Sequence, residues 1–337
     1  MLKDFPPSYF SLVMATGIVS LACHLVGLQP VALGLFWLNF LQYALCLSCS
    51  LYRLARYPRL MWQDLTHHAR GPGFLTLVAG SNVLGVQFIV LANQPAIAQA
   101  LWLLAGPLWL LCKYAMLAGV TLTQHKPTLE QGLNGTWLLC TVSSASVCVL
   151  GSYLATRFAD PELILFVCVA AYMVGIMLYV LIMSQILYRW LFLDLEAGEL
   201  SPSYWINMGA LAISTLAGAR LLTAGADSVL VQSLAPFILG LSVFVGAFAC
   251  WWIPFLLLVF VTHRVRYGIG IHYDLQNWSV VFPLGMFCVA SFNFLPLVHQ
   301  QVFLPLIQVV AYIALAAWAL TFIGLLRHCL HTSARIR

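Results

Sequence analysis

The sequence predicts an all-α integral membrane protein of ten transmembrane helices paired as five hairpins, in a single domain over residues 1–337. Three observations predict it. Hydrophobic residues make up 62% of the chain and charged residues 7%, against roughly 25% charged in soluble domains, so water is not the solvent for most of its surface. Ten apolar stretches reach the roughly 20 residues that a helix needs to cross the hydrocarbon core. The Lys and Arg residues cluster in alternate connections, as cytoplasmic loops do.

Each stretch can be justified in turn. The first, 8–27, follows Lys3 and could pass for a signal sequence, but no small-x-small cleavage site follows it, which favours a mature helix. The second, 31–52, lies across the short uncharged connection Leu28 to Pro30. The basic segment with Arg53, Arg56, Arg59 and Arg70 leads into the third, 72–92. The fourth, 96–118, follows the equally short Asn93 to Pro95, and Lys126 precedes the fifth, 136–156. The sixth, 162–188, and the seventh, 203–224, flank Arg189. The eighth, 229–261, is longer than one crossing and contains Pro236 and Pro254, which leaves its boundaries open. Arg264 and Arg266 precede the ninth, 277–298, and Arg327, Arg335 and Arg337 follow the tenth, 301–326.

With the N-terminus inside, every basic residue except Lys113, Arg157 and Arg220 falls on the inner side. Lys113 and Arg220 lie within spans near their ends. The expected placement is multi-pass in a cell membrane, the bacterial inner membrane, with short termini that are both cytoplasmic. A net charge of +5 without a basic stripe argues against a nucleic-acid partner. Nine of the ten Cys lie in apolar runs and read as membrane core, including Cys46 and Cys49, whose CxxC spacing lacks the exposed electropositive setting of a redox pair. No metal-ligand spacing joins the nine His, and no acid, base and nucleophile converge, so neither an enzyme nor a metal or other cofactor is expected.

The odd stretches carry more than twice the Ser, Thr, Asn, Gln, His, Lys and Arg of the even ones. Polar helices in lipid face a bundle interior or a water-filled path. That pattern predicts an inner ring of five odd helices forming a central pore, wrapped by five even helices. No Asp or Glu falls in the middle of a stretch, which disfavours a cation path and suits small anions. Hydroxyls and amides at Ser11, Thr16, Ser81, Asn82, Thr141, Ser144, Ser146, Asn207, Ser214 and Thr215 are candidate pore-lining donors, with Gly17 and Gly285 beside them. Such weak donors hydrogen-bond a passing anion without trapping it. Arg220, near the outer end of its helix, is the candidate attractor of anions. His24 is a candidate proton carrier, or a hydrogen-bonded packing histidine.

The ninth stretch holds the sharpest local feature, Asn277-Trp-Ser-Val-Val-Phe-Pro-Leu-Gly-Met-Phe287. Pro283 has no amide hydrogen, so the carbonyl of Ser279 loses its helical partner and a kink is expected there. Phe282 then reads either as a packing residue or as a hydrophobic gate.

The segments Phe5-Pro-Pro-Ser-Tyr-Phe-Ser-Leu-Val-Met-Ala-Thr-Gly-Ile-Val-Ser20, Val78-Ala-Gly-Ser-Asn-Val-Leu-Gly-Val-Gln-Phe88, Tyr204 to Gly218 and Trp278 to Met286 resemble the tellurite-resistance/C4-dicarboxylate transporter family. Slow anion channels, malate permeases and sulfite exporters are its relatives. The resemblance implies a homotrimer in the lipid bilayer in which each subunit has its own five-helix pore, plugged by a phenylalanine on helix nine. Phe282, followed by Pro283, occupies the matching position. The function expected is an anion channel or channel-like permease gated by that phenylalanine. A proton-coupled dicarboxylate, sulfite or tellurite exporter is the alternative.

Overall fold

The structure is a computed structural model that describes residues 2–196, 198–268, 270 and 273–336. Arg337, one of the expected inner basic residues, lies outside the described residues. All regular structure among the described residues is helical. Among the described residues ten helices are long and apolar enough to cross a membrane: Pro7–Leu25, Gln29–Arg56, Gly71–Val90, Pro95–Leu122, Gly135–Arg157, Pro161–Phe192, Pro202–Ala224, Val229–Tyr267, Leu275–Phe294 and Gln301–Leu330. They are called the first to the tenth span below.

The connections that follow the odd spans are tight, and the sequence explains why. Gly27 takes φ 84°, a conformation glycine reaches without a Cβ clash, and Leu28 N donates to Cys23 O at 2.9 Å, closing the first span in a Schellman turn. Pro30 then starts the second span where a missing amide hydrogen costs nothing. Asp160 caps the sixth span by accepting from Leu163 N at 3.1 Å, and Ser228 caps the eighth by accepting from Val231 N at 3.2 Å. Glu162 ties those two caps together, accepting from the Ser228 hydroxyl at 2.9 Å and from Val229 N at 3.1 Å.

The eighth span resolves the boundary that the sequence left open. It is one helix of 39 residues running through both Pro236 and Pro254 and ending at Gly268 with φ 62°. At 1.5 Å per residue it is about 58 Å long, roughly twice the hydrocarbon thickness.

Burial separates the two sets of spans. In the most apolar window of each span the buried share runs from 56% to 94% in the odd set and from 11% to 50% in the even set. Each odd span packs against the next odd span, and the ninth packs against the first. Each even span packs against the odd span that precedes it. The apolar side chains left exposed, among them Trp37, Leu41, Leu111, Phe244 and Leu320, are largely on even spans. A short helix, Pro58–Leu65, follows the second span and brings Asp64 back against Arg53.

Candidate functional site

Two voids lie among the odd spans, one on each side of Phe282. The wider, about 500 Å³, opens at the inner ends of the spans and is lined by their first turns, including Ser11 and Met14, Thr76, Leu139, Ile206 and Ser279. Phe282 is part of its wall and is 3% exposed. The second void, about 20 Å³, holds space for about one water. Its walls come from all five odd spans: Ile18, Asn82, Ser146, Ile213 and Met286 each contribute. Phe282 is the deepest residue of the ninth span on the wide void, and Met286, one helical turn beyond it, lines the narrow one, so Phe282 is at the step from one void to the other along that span.

The ninth span is held there by close backbone contacts. A Cβ added to Gly209 would meet Pro283 Cγ at 2.8 Å, and one added to Gly285 would meet Ile18 Cγ2 at 2.9 Å. The seventh and first spans thus approach the Phe282–Pro283 turn to distances that only glycine permits.

Charge gathers at the wide mouth. Arg53 donates to Lys3 O at 2.8 Å and Phe5 O at 3.0 Å, so it pins the segment before the first span. It also pairs with Asp64, whose second oxygen lies 3.1 Å from Arg70 Nε. Lys3, Arg53 and Arg70 line the void together with Asp4 and Asp64, leaving an excess of positive charge. At the far end Tyr153 lines the narrow void, and the Arg220 guanidinium sits 3.7 Å from the centre of its ring.

The candidate lining residues divide. Ser11 and Phe282 line the wide void. Asn82 and Ser146 line the narrow one, where Asn82 Nδ2 donates to Ser146 Oγ at 3.0 Å and Asn82 Oδ1 is buried without a partner among the described residues. Others turn toward even spans. Thr16 accepts from Trp318 of the tenth span at 3.0 Å, Ser81 lies 2.9 Å from Tyr43 Oη of the second, and Asn207 accepts from Tyr179 of the sixth. Ser144 accepts from Lys113 of the fourth at 2.6 Å, and Thr215 faces Gly246 of the eighth. Gly17 abuts Val83 and Asn39, and Ser214 closes on its own helix at Ala210 O. Thr141 Oγ1 is buried without a partner among the described residues. None of these eight lines either void, because on a helix buried all round a side chain is as readily aimed at an outer helix as at the axis. His24 sits at the outer end of the first span with Nδ1 2.8 Å from Gln29 Oε1, away from both voids.

Sequence reasoning passed over the apolar lining at Met14, Leu139, Ile206 and Met286, which nothing distinguishes from core. It also placed Lys113 near the end of its span, whereas the fourth span runs nine residues beyond it.

Comparison with known proteins gives the same direction. A sulfite efflux pump of the fungus Arthroderma otae is 24% identical over 349 residues, spanning 95% of this chain and 90% of the relative. A transporter of Methanocaldococcus jannaschii described as uncharacterized is 22% identical over 297 residues, 86% of this chain and 84% of the relative. A membrane protein of Mycobacterium tuberculosis, also described as uncharacterized, is 34% identical over 158 residues, 47% of this chain and 80% of the relative. The sequence model of the voltage-dependent anion channel (SLAC1) family matches residues 4–326, and a match over nearly the whole length shows that this chain belongs to that family of membrane transporters and channels.

Proposed function

We propose that the protein conducts small anions through the circuit of odd spans, from the basic mouth at Arg53 and Arg70, past Phe282, to the outer end at Arg220. The observation that carries this reading is the pair of voids, wide and narrow, with Phe282 between them. A buried aromatic ring at that point excludes water, and a pore that is dry at one level is closed to ions. The Ser11 hydroxyl on one side and, on the other, the Asn82 amide hydrogen that is not spent on Ser146 offer donors to a partly dehydrated anion. Among the described residues the path lining contains no carboxylate beyond the mouth, so a cation finds no charged ligand there.

The reading extends to assembly and placement. The chain is proposed to work as a homotrimer in a bacterial inner membrane, each subunit with its own path and with both termini cytoplasmic. Replacing Phe282 by Ala tests the gate. Chloride and nitrate efflux from liposomes holding the purified protein should rise by an order of magnitude, as loss of a barrier of about 1.4 kcal/mol or more requires. Equal flux in wild type and Phe282→Ala would end the gating claim.

A second reading is favoured by the fungal relative, whose description is sulfite efflux pump and which aligns over 95% of this chain. In that reading the protein exports sulfite, tellurite or a C4-dicarboxylate in exchange with or alongside protons, with His24 as carrier. Sulfite flux should then follow an imposed pH gradient and lose that dependence in His24→Gln. Flux indifferent to the gradient leaves the channel reading alone.

A further inference from the structure

Three cations are buried among the described residues: Arg53, Lys113 and Arg189. Two of them meet carboxylates. Arg53 pairs with Asp64, and Arg189 lies 3.3 Å from Glu199. Lys113, 6% exposed, has no carboxylate within ion-pair distance among the described residues. Its ammonium donates to Ser144 Oγ at 2.6 Å and to Cys140 O at 3.0 Å, and stands 4.7 Å from the centre of the Trp109 ring. Those three groups are neutral. They orient the charge and leave it uncompensated, which in the interior of a membrane protein is costly and is retained where it serves a path.

Its height along the bundle is telling. Ser144, its partner on the fifth span, lies nine residues beyond the inner end of that span at Gly135. Phe282 lies seven residues beyond the inner end of the ninth span, and Asn82 and Ser146 lie eleven beyond the inner ends of theirs. At 1.5 Å per residue Lys113 stands about 13 Å from the inner end, between the ring and the narrow void. It reaches the fifth span from behind, so one helix width, about 10 Å, of low-dielectric protein separates the charge from the path.

We propose that Lys113 is the fixed charge that makes the constriction selective for anions, with the permeating anion as its mobile counter-ion. The proposal rests on the permeation reading above. The charge acts through space, without touching the ion. It therefore selects by sign and leaves monovalent anions of different size nearly alike, in contrast to a coordinating site.

The test uses full-length protein in the Phe282→Ala background, reconstituted in planar bilayers under a potassium chloride gradient, with the reversal potential giving the chloride/potassium permeability ratio. Lys113→Gln should lower that ratio by roughly a hundredfold, because removing a unit charge about 10 Å away at an effective dielectric constant near 20 disfavours chloride and favours potassium by about tenfold each. Lys113→Arg should keep it. Ser144→Asp places a fixed carboxylate against the ammonium and should lower the ratio as Lys113→Gln does, by a different structural route. The ratio is a property of each open path, so reduced yield alone does not move it. An unchanged ratio in either neutralising variant overturns the proposal. So does failure of both to fold, which would make the cation a packing requirement. A folded Phe282→Ala protein with no anion current overturns the permeation reading and this inference with it, whereas a conducting protein indifferent to Lys113 overturns this inference alone.

Discussion

Gly209 shows how one missing side chain sets the position of another. The Pro283 ring is rigid and its Cγ would sit 2.8 Å from a Cβ at residue 209, inside van der Waals contact, so the ninth span must move if that atom is added. Gly209→Ala should cost about 1–3 kcal/mol and shift Phe282, measurable as a lower melting temperature in detergent together with altered basal flux. Retained stability and flux would show that the contact is slack. At this scale the sequence was legible where chemistry is scarce. A Phe-Pro pair within an apolar run, followed by Gly285, stands out and lies between the two voids. The direction of the hydroxyls was illegible for the converse reason. Thr16 and Ser11 are both on the first span, yet one meets Trp318 and the other lines the wide void. A helix buried on all sides has no amphipathic stripe to tell them apart.

Among the elements, the short helix Pro58–Leu65 has a role out of proportion to its length. Through Asp64 it neutralises Arg53, and through Arg53 it fixes the segment that borders the wide void. Asp64→Asn leaves that buried guanidinium without its anion and should cost about 3 kcal/mol. Thermal unfolding in detergent measures the loss, and Asp64→Glu should recover part of it. The same inner surface carries a pH response. Burial lowers the His67 value below 6.5, with Arg70 and His68 adding to it and Asp64 opposing. Burial followed by Lys126 lowers that of His68. The unfolded chain therefore binds more protons just below about pH 6.5, and the folded protein loses stability as pH falls through that point. The drop in melting temperature between about pH 8 and about pH 5 should shrink in the His67→Asn, His68→Asn double variant.

Element boundaries were legible to within a few residues at the outer turns and poorest at the inner ends of even spans. The second, sixth, eighth and tenth all run past the expected ends at 52, 188, 261 and 326. Apolar counting stops at the first charge, whereas the helix continues. Arg53, Arg56, Arg189, Arg264 and Arg266 sit in last turns, where cations suit the helix dipole and long stems reach back along apolar surface. Lys113 was counted inside the fourth stretch near its end, and the span continues nine residues beyond it.

For the whole molecule, ten helices among the described residues are long and apolar enough to cross a membrane, and ten crossings would return the chain to the side on which it began. A fluorescent protein fused to the C-terminus should therefore report the same compartment as an N-terminal tag. A periplasmic phosphatase fused there should be inactive if both termini are cytoplasmic, and an active fusion would overturn the placement. The division of labour between odd and even helices was legible in composition, since polar residues concentrate in the spans that are more buried. Which odd helix touches which was not. Closure of the ninth span on the first joins residues far apart in the chain, such as Gly285 and Ile18, and no local pattern encodes that.

The contrast between the two sets bears on how the chain enters the membrane in the first place. The most apolar window of the seventh span has a mean hydropathy of 1.2, and that of the eighth 2.3. Ribosomes deliver the seventh first, with Asn207 and Arg220 in it, residues that the insertion machinery disfavours. It packs against the eighth, which emerges after it, so the pair is expected to enter as a unit. An isolated seventh span, scored by glycosylation of its flanks during synthesis into microsomes, should insert poorly, and adding Val229–Tyr267 should restore it.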